Sequence, residues 1–126
     1  MELSFTKRHL ITVAFLGLAA HANAKPPWKV YGYIQNGHSA AYLNALPWNN
    51  MTHVMDAFAI PTSGSTIDKT TYTSGANLIN AAHVNATRCM LSLGGASGSY
   101  NFGVATNNTN RAAFITNIMS ALSAGY

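Results

Sequence analysis

Arg88-Cys89-Met90-Leu91-Ser92-Leu93-Gly94-Gly95-Ala96 is the stretch on which the fold turns. Residues 88 to 93 lack the polar alternation of a half-exposed strand. The run therefore reads as a strand covered on both faces, as in a parallel sheet with helices packed outside it. Gly94 and Gly95 then stop it. Two adjacent glycines permit positive φ and remove both Cβ atoms, so the backbone can turn sharply and a bulky group can approach closely. In α/β folds that approach takes place at the carboxyl ends of strands. A glycine pair is equally what a plain strand-to-loop turn looks like, so the neighbouring sequence has to decide.

Downstream, a loop rich in Ser, Gly and Asn runs from Ser97 to Asn107. Residues 108 to 122 follow, with Phe114, Ile115, Ile118, Met119 and Leu122 recurring on one helical face and Gly125 where a C-terminal cap belongs. Upstream, Ser74 is placed to N-cap a helix through about Ala86, with Leu78, Ile79 and Ala82 as its buried face. A polar loop reaches Thr73. Before it, Thr52 to Ile60 makes a second strand, ended by Pro61 and Ser63-Gly64-Ser65. Residues 40 to 46 allow two helical turns ahead of Pro47. The first strand, residues 28 to 34, is rich in β-formers and follows the stiff lead-in Lys25-Pro26-Pro27.

The order is β-α-β-α-β-α, an α/β plan with a parallel sheet, either open or closed into a barrel. Strands begin near positions 29, 52 and 88, and an eight-unit barrel of roughly 250 residues gives about 31 to each unit. A fourth strand is due near Tyr126. Residues 25 to 126 are thus expected to hold the first three β/α units of a (β/α)8 TIM barrel.

Of 126 residues, 48% are apolar and only 8% charged, which excludes disorder and fits one modest domain. Part of the +4 formal charge sits in a leader. Lys7 and Arg8 precede an apolar run from Leu10 to Ala20 and then Ala22-Asn23-Ala24, the three-part form of a secretory signal peptide over residues 1 to 24. The run is about half the length of a membrane span, so export without a membrane anchor is expected. Beyond it, Lys25, Lys29, Lys69, Arg88 and Arg111 stand against Asp56 and Asp68, a net of +3 scattered along the chain. No basic stripe marks a nucleic-acid binder. Cys89 is the single cysteine and reads as a small buried hydrophobe. His38, His53 and His83 lack paired ligand spacing, so no metal is expected. No nucleotide or phosphate fingerprint calls for a cofactor. Asn50, Asn85 and Asn107 begin glycosylation sequons, which matter only in a eukaryotic secretory pathway.

Gly32-Tyr33 on the first strand, Thr52-His53-Val54 with Ala57-Phe58 on the second, and Ser92-Leu93-Gly94-Gly95 on the third resemble, in order and spacing, the amino-terminal part of the family 18 glycoside hydrolases, the chitinase family. Phe102, Arg111 and Phe114 lie where that family often carries Phe and an Arg-x-x-Phe. The resemblance implies a (β/α)8 barrel whose catalytic signature Asp-x-x-Asp-x-Asp-x-Glu lies on the fourth strand, beyond Tyr126, so no catalytic residue falls in this chain. It implies substrate-assisted retaining hydrolysis of chitin or N-acetylglucosamine oligosaccharides, in which the sugar's own acetamide attacks the anomeric carbon and the Glu protonates the leaving oxygen. It also implies that Tyr33 and Ser92 hydrogen-bond an aspartate of that signature, that Phe58 lines the floor under the sugar, and that Gly94 and Gly95 leave space for it.

The plain alternative for Tyr33 and Phe58 is barrel core. Ala96 stands where many relatives have an aromatic. Asp56 stands where the family often has an aromatic, and it could pair with Arg88 inside the barrel or belong to the site; the structural role is favoured. Three readings follow. The first is a secreted chitinase-like hydrolase whose first 126 residues are inactive alone. The second is a chitin-binding, lectin-like barrel without the Glu. The third is a complete small secreted domain.

Overall fold

The computed structural model describes residues 24–35, 38–70, 73–96 and 98–126; the expected leader, save Ala24, lies outside them. Three parallel strands form the sheet: β1 (Tyr31–Gln35), β2 (His53–Pro61) and a later strand, Arg88–Leu93. The strand β2 is central. Tyr33 lies opposite Met55 on one side, and Met55 lies opposite Met90 on the other. Between β1 and β2 come a short helix α1 (Ala40–Asn44), capped by the Ser39 hydroxyl accepting from Tyr42 N–H, and a 3-10 turn over Trp48–Asn50. All three expected strands are present. The first begins later than expected, leaving Trp28 67% exposed.

The polar loop after Pro61 holds a strand that periodicity does not reveal. The two-residue β3 (Ile67–Asp68) turns back antiparallel, pairing Ile60 with Asp68 and Pro61 with Ile67. Thr62 N–H donates to Thr66 C=O at 3.0 Å and closes that hairpin. Helix α2 (Ala76–Val84) then leads into β4 (Arg88–Leu93). The expected Ser97 to Asn107 loop carries a 3-10 turn, Ser99–Asn101, and a single-turn helix α3 (Phe102–Ala105), ahead of α4 (Arg111–Leu122).

Among the described residues, helices cover one face of the sheet. Ile34, Val54 and Cys89 point into a core with Leu43, Trp48, Met51, Leu78, Ile79 and Ala82 from the helices and their connections. The indole N–H of Trp48 is satisfied there by Leu43 C=O at 2.9 Å. On the other face Tyr31, Tyr33, Gln35 and Met90 are exposed. The expectation of strands buried on both sides is therefore corrected. Burial along β4 alternates over Arg88, Cys89 and Met90, because helices reach one side only, and Leu91, Ser92 and Leu93 are all half-buried.

Leu78, Ile79 and Ala82 of α2 are buried as their spacing predicts. On α4 the stripe is only partly used: Phe114 is buried, whereas Ile115 and Met119 are 53% and 60% exposed. An apolar groove of about 410 Å³ separates Ile118 and Leu122 from Cys89, Leu91 and Leu93, so α4 does not press its whole stripe onto the sheet.

Asp56 is fully buried, and the expected pairing with Arg88 is absent. Arg88 is exposed opposite His53, three residues before Asp56 along β2. The Asp56 carboxylate instead accepts from Ser74 N–H at 2.7 Å, Gly75 N–H at 2.9 Å and the Tyr126 hydroxyl at 2.7 Å. Ser74 is thus not the N-cap of α2; Gly75 is, and the cap acceptor comes from a strand across the core. Burial and the hydrogen bond to Asp56 push the Tyr126 phenol upward.

Cys89 behaves as the buried hydrophobe its sequence context suggests. Burial first, then the nearby Asp56 carboxylate, pushes its thiol up to about 12 from an ordinary 9.0. In the native protein Cys89 is expected to resist a thiol-reactive disulfide reagent at pH 8 and to react at once on unfolding. A thiol held neutral contributes stability that is full below the unfolded thiol's pKa and is lost as pH rises toward the folded value. Melting temperature should therefore fall between pH 9 and 12, and by less in a Cys89→Ala variant.

Candidate active site

The carboxyl ends of β1, β2 and β4 gather Tyr33, Phe58, Ser92, Gly94 and Gly95 on the bare side of the sheet. Along β2 strict alternation would turn Phe58 away from Ala57's face. The pairing with β4 shifts between Ala57 and Ala59, and this irregularity leaves the Phe58 ring 6.4 Å from the Tyr33 ring, tilted by 36°. The Ala57–Phe58 peptide bond is cis.

Tyr33 is 62% exposed and lies opposite Met55; Ser92 lies opposite Ala57, one pleat further along. Both side chains rise from the same face. With strands about 4.8 Å apart, the two Cα atoms are separated by about 12 Å, so a group held by both must stand over the central strand.

Gly94 and Gly95 adopt φ of +92° and +81°, the left-handed region expected of the pair. What approaches them is protein. A Cβ on Gly95 would meet the Phe58 ring at 2.9 Å, and one on Gly94 would meet the Phe102 ring at 2.7 Å and the Ser99 hydroxyl at 2.8 Å. The close approach the glycines allow thus seats two aromatic rings against the strand end. Phe102 is backed in turn by Phe114, edge-on at 6.4 Å and 82°. Gly94 N–H continues the ladder to Ala59 C=O at 2.8 Å.

The turn beyond the glycines belongs to the same end of the sheet. Ser99 hydroxyl donates to Gly95 C=O at 2.7 Å, and the Asn101 side-chain amide donates to Pro61 C=O at 2.9 Å. Sequence reading passed over these anchors because Ser and Asn in a glycine-rich segment look like generic loop. The signal lay in their spacing from Gly95.

His53 is a buried structural histidine. Its Nδ1 lies 2.8 Å from the Thr52 hydroxyl, its ring stacks on Tyr31 at 4.6 Å, and burial lowers its pKa, with Arg88 and Lys29 adding to the effect. The Thr52 hydroxyl also accepts from Val30 N–H at 2.8 Å, which fastens the start of β1 to β2. Among the described residues no group of three metal-ligating side chains forms, and no helix is long and apolar enough to cross a membrane. Carboxylates are equally sparse here. Asp56 is committed beneath the sheet, and Asp68 lies in the hairpin, where it accepts from Thr70. The chemistry this end offers is an aromatic floor with hydroxyls at its edge, suited to a neutral, hydroxyl-bearing ligand.

The sequence profile described as glycosyl hydrolases family 18 matches residues 29–124. Among solved structures, a chitinase from Rhizomucor miehei is similar with a TM-score of 0.66 at 21% identity, over 78% of this chain and 30% of that one. A chitinase from Bacteroides thetaiotaomicron is similar with a TM-score of 0.60 at 20% identity, over 75% of this chain and 32% of that one. This chain therefore spans about a third of the length of either neighbour. No curated protein sequence matches it.

Proposed function

The chain belongs to family 18 of the glycosyl hydrolases, and from that membership we propose that the whole protein is a secreted hydrolase of chitin or chito-oligosaccharides. Residues 25 to 126 then supply the first three units of its (β/α)8 barrel, and the bare face carrying Tyr33 and Ser92 is the inside of that barrel. Cleavage proceeds with retention, assisted by the substrate's acetamide, and the proton donor comes from strand four. Tyr33 and Ser92 position an aspartate beside that donor, Phe58 underlies the sugar, and Gly94 and Gly95 let the aromatic floor sit flush with the strand ends.

The observation that carries this reading is the convergence of the Tyr33 and Phe58 rings with Ser92 and the glycine pair at one end of three parallel strands. The shortage of carboxylates at that end supports the view that residues 25 to 126 are inactive alone. The test is to incubate the full-length protein with N-acetylglucosamine oligomers and follow the products by proton NMR. The expected first product is the β-anomer, with none released by residues 25 to 126. An α-anomer would overturn the mechanism. Binding without cleavage would leave a chitin-binding lectin.

A further inference from the structure

At the amino ends of the strands, a groove of about 340 Å³ is bordered by the lead-in Pro26-Pro27-Trp28-Lys29 and by Arg88 at the start of β4. Lys29 and Arg88 are exposed, and neither side chain forms an ion pair or a hydrogen bond with a described residue. The two side-chain carboxylates of the described residues serve elsewhere. Asp56 is buried among its three donors, and Asp68 sits in the hairpin opposite Ile60, about 23 Å along β2 from His53. The groove is therefore positive with no neighbouring negative charge, and an anion placed there is attracted to both cations.

The wall that carries Trp28 is held still. Lys25 reaches back to donate to Trp48 C=O and, at 2.7 Å, to the Thr87 hydroxyl. Val30 N–H donates to the Thr52 hydroxyl at 2.8 Å, and Val30 C=O accepts from His53 N–H at 3.0 Å. Between these two clamps Pro26 and Pro27 stiffen the backbone, and the Trp28 indole stays exposed. An indole left in water gives up the free energy of burial, and a rigid mount lowers the entropy lost when a ligand covers it. The surroundings select that ligand. Paired cations, one of them an arginine fork, call for an oxyanion such as a carboxylate. The flat indole beside them calls for a ring with an apolar C–H face, which an inorganic ion lacks.

We infer that this groove binds a sugar acid, a uronic acid unit whose ring lies on Trp28 and whose carboxylate sits between Lys29 and Arg88. The site is separate from the candidate active site, since Gly94 lies about 20 Å along β4 from Arg88, and it does not depend on the hydrolase reading. Calorimetric titration of the full-length protein with a trimer of galacturonic acid at low salt should show one site. Lys29→Gln, Arg88→Gln and Trp28→Ala should each weaken it about 3- to 10-fold, while Trp28→Phe keeps most of the affinity. All three side chains are exposed, so the variants should melt with the native protein. Sodium chloride at about 0.5 M should weaken binding of the acid, whereas an N-acetylglucosamine hexamer should not displace it. Imidazole NMR locates the ligand. His53 packs against the Tyr31 ring and the Thr52 hydroxyl, and burial, then Arg88 and Lys29, lower its pKa; with the trimer bound it should titrate at higher pH. The inference fails if the trimer does not bind, if a neutral galactose trimer or inorganic sulfate binds as tightly, if Trp28→Ala keeps the native affinity, or if the His53 titration is unmoved. Hydrolysis is read separately, by product release from N-acetylglucosamine oligomers, so either reading can fail without the other.

Discussion

Replacing Asp56 by Ala should cost the protein about 4 kcal/mol of stability, one of the two largest single-residue effects expected in this chain. The carboxylate is fully buried and satisfies three donors: two backbone N–H groups at the start of α2 and the Tyr126 hydroxyl. Leaving a buried donor unpaired costs about 1–3 kcal/mol, and the void of the lost side chain adds to it. Asp56→Asn keeps one acceptor oxygen but turns an NH₂ toward the remaining donors, so about half the loss is expected. Tyr126→Phe removes one partner and should cost about 1 kcal/mol. Urea unfolding reads all three as shifts in midpoint at constant slope. A midpoint for Asp56→Ala within error of the native protein would mean that the carboxylate is not what holds the α2 terminus.

The second large effect is expected at Gly95. Alanine there meets two independent penalties: a φ of +81°, worth about 1–2 kcal/mol for a residue with a Cβ, and overlap with the Phe58 ring at 2.9 Å, worth about 1–3 kcal/mol. Together they predict a loss of about 3 kcal/mol. The two penalties separate in a double-mutant cycle, because Phe58→Ala removes the overlap and leaves the backbone strain. The coupling between the substitutions should be at least about 1 kcal/mol, and additive effects would exclude the contact. Displacing the Phe58 ring should also lower kcat/KM of the full-length protein by about 10- to 100-fold, since errors of an ångström in a positioning group cost that much.

The sheet was legible where side chains announced it. β-formers around Tyr31, the apolar runs of β2 and β4 and the breaks at Pro61 and Gly94 located three strands that do lie side by side and parallel. Helix α2 was legible through Leu78, Ile79 and Ala82. Other features were hidden for physical reasons. The hairpin strand β3 is two residues long, too short for any periodicity. The partners of Asp56 could not be read because two of its three donors are backbone amides 18 and 19 residues away, which leave no mark in sequence, and the third, the Tyr126 hydroxyl, lies 70 residues away. A burial stripe on α4 says which residues are apolar, not whether a surface arrives to cover them.

Charge misled in a similar way. Lys25, Lys29 and Arg88 are dispersed along the chain, yet with Trp28 they border one groove beneath the strands. The Lys25 ammonium is fastened there to Trp48 C=O and the Thr87 hydroxyl. At the candidate site, Tyr33, Ser92 and the glycine pair are singled out by the resemblance to family 18, not by strand order alone. That Phe58 shares a face with Tyr33 depends on an irregularity in pairing that no strict two-residue period contains.

The sheet with one bare face has a practical consequence. Tyr31, Tyr33 and Met90 lie open to solvent, and among the described residues β1 and β4 each bond to a neighbour strand on one side only. Such borders accept further strands from any source, including another copy of the chain. A preparation of residues 25 to 126 should therefore scatter light increasingly as it is concentrated. Charged substitutions at Tyr31 and Met90 should clear it.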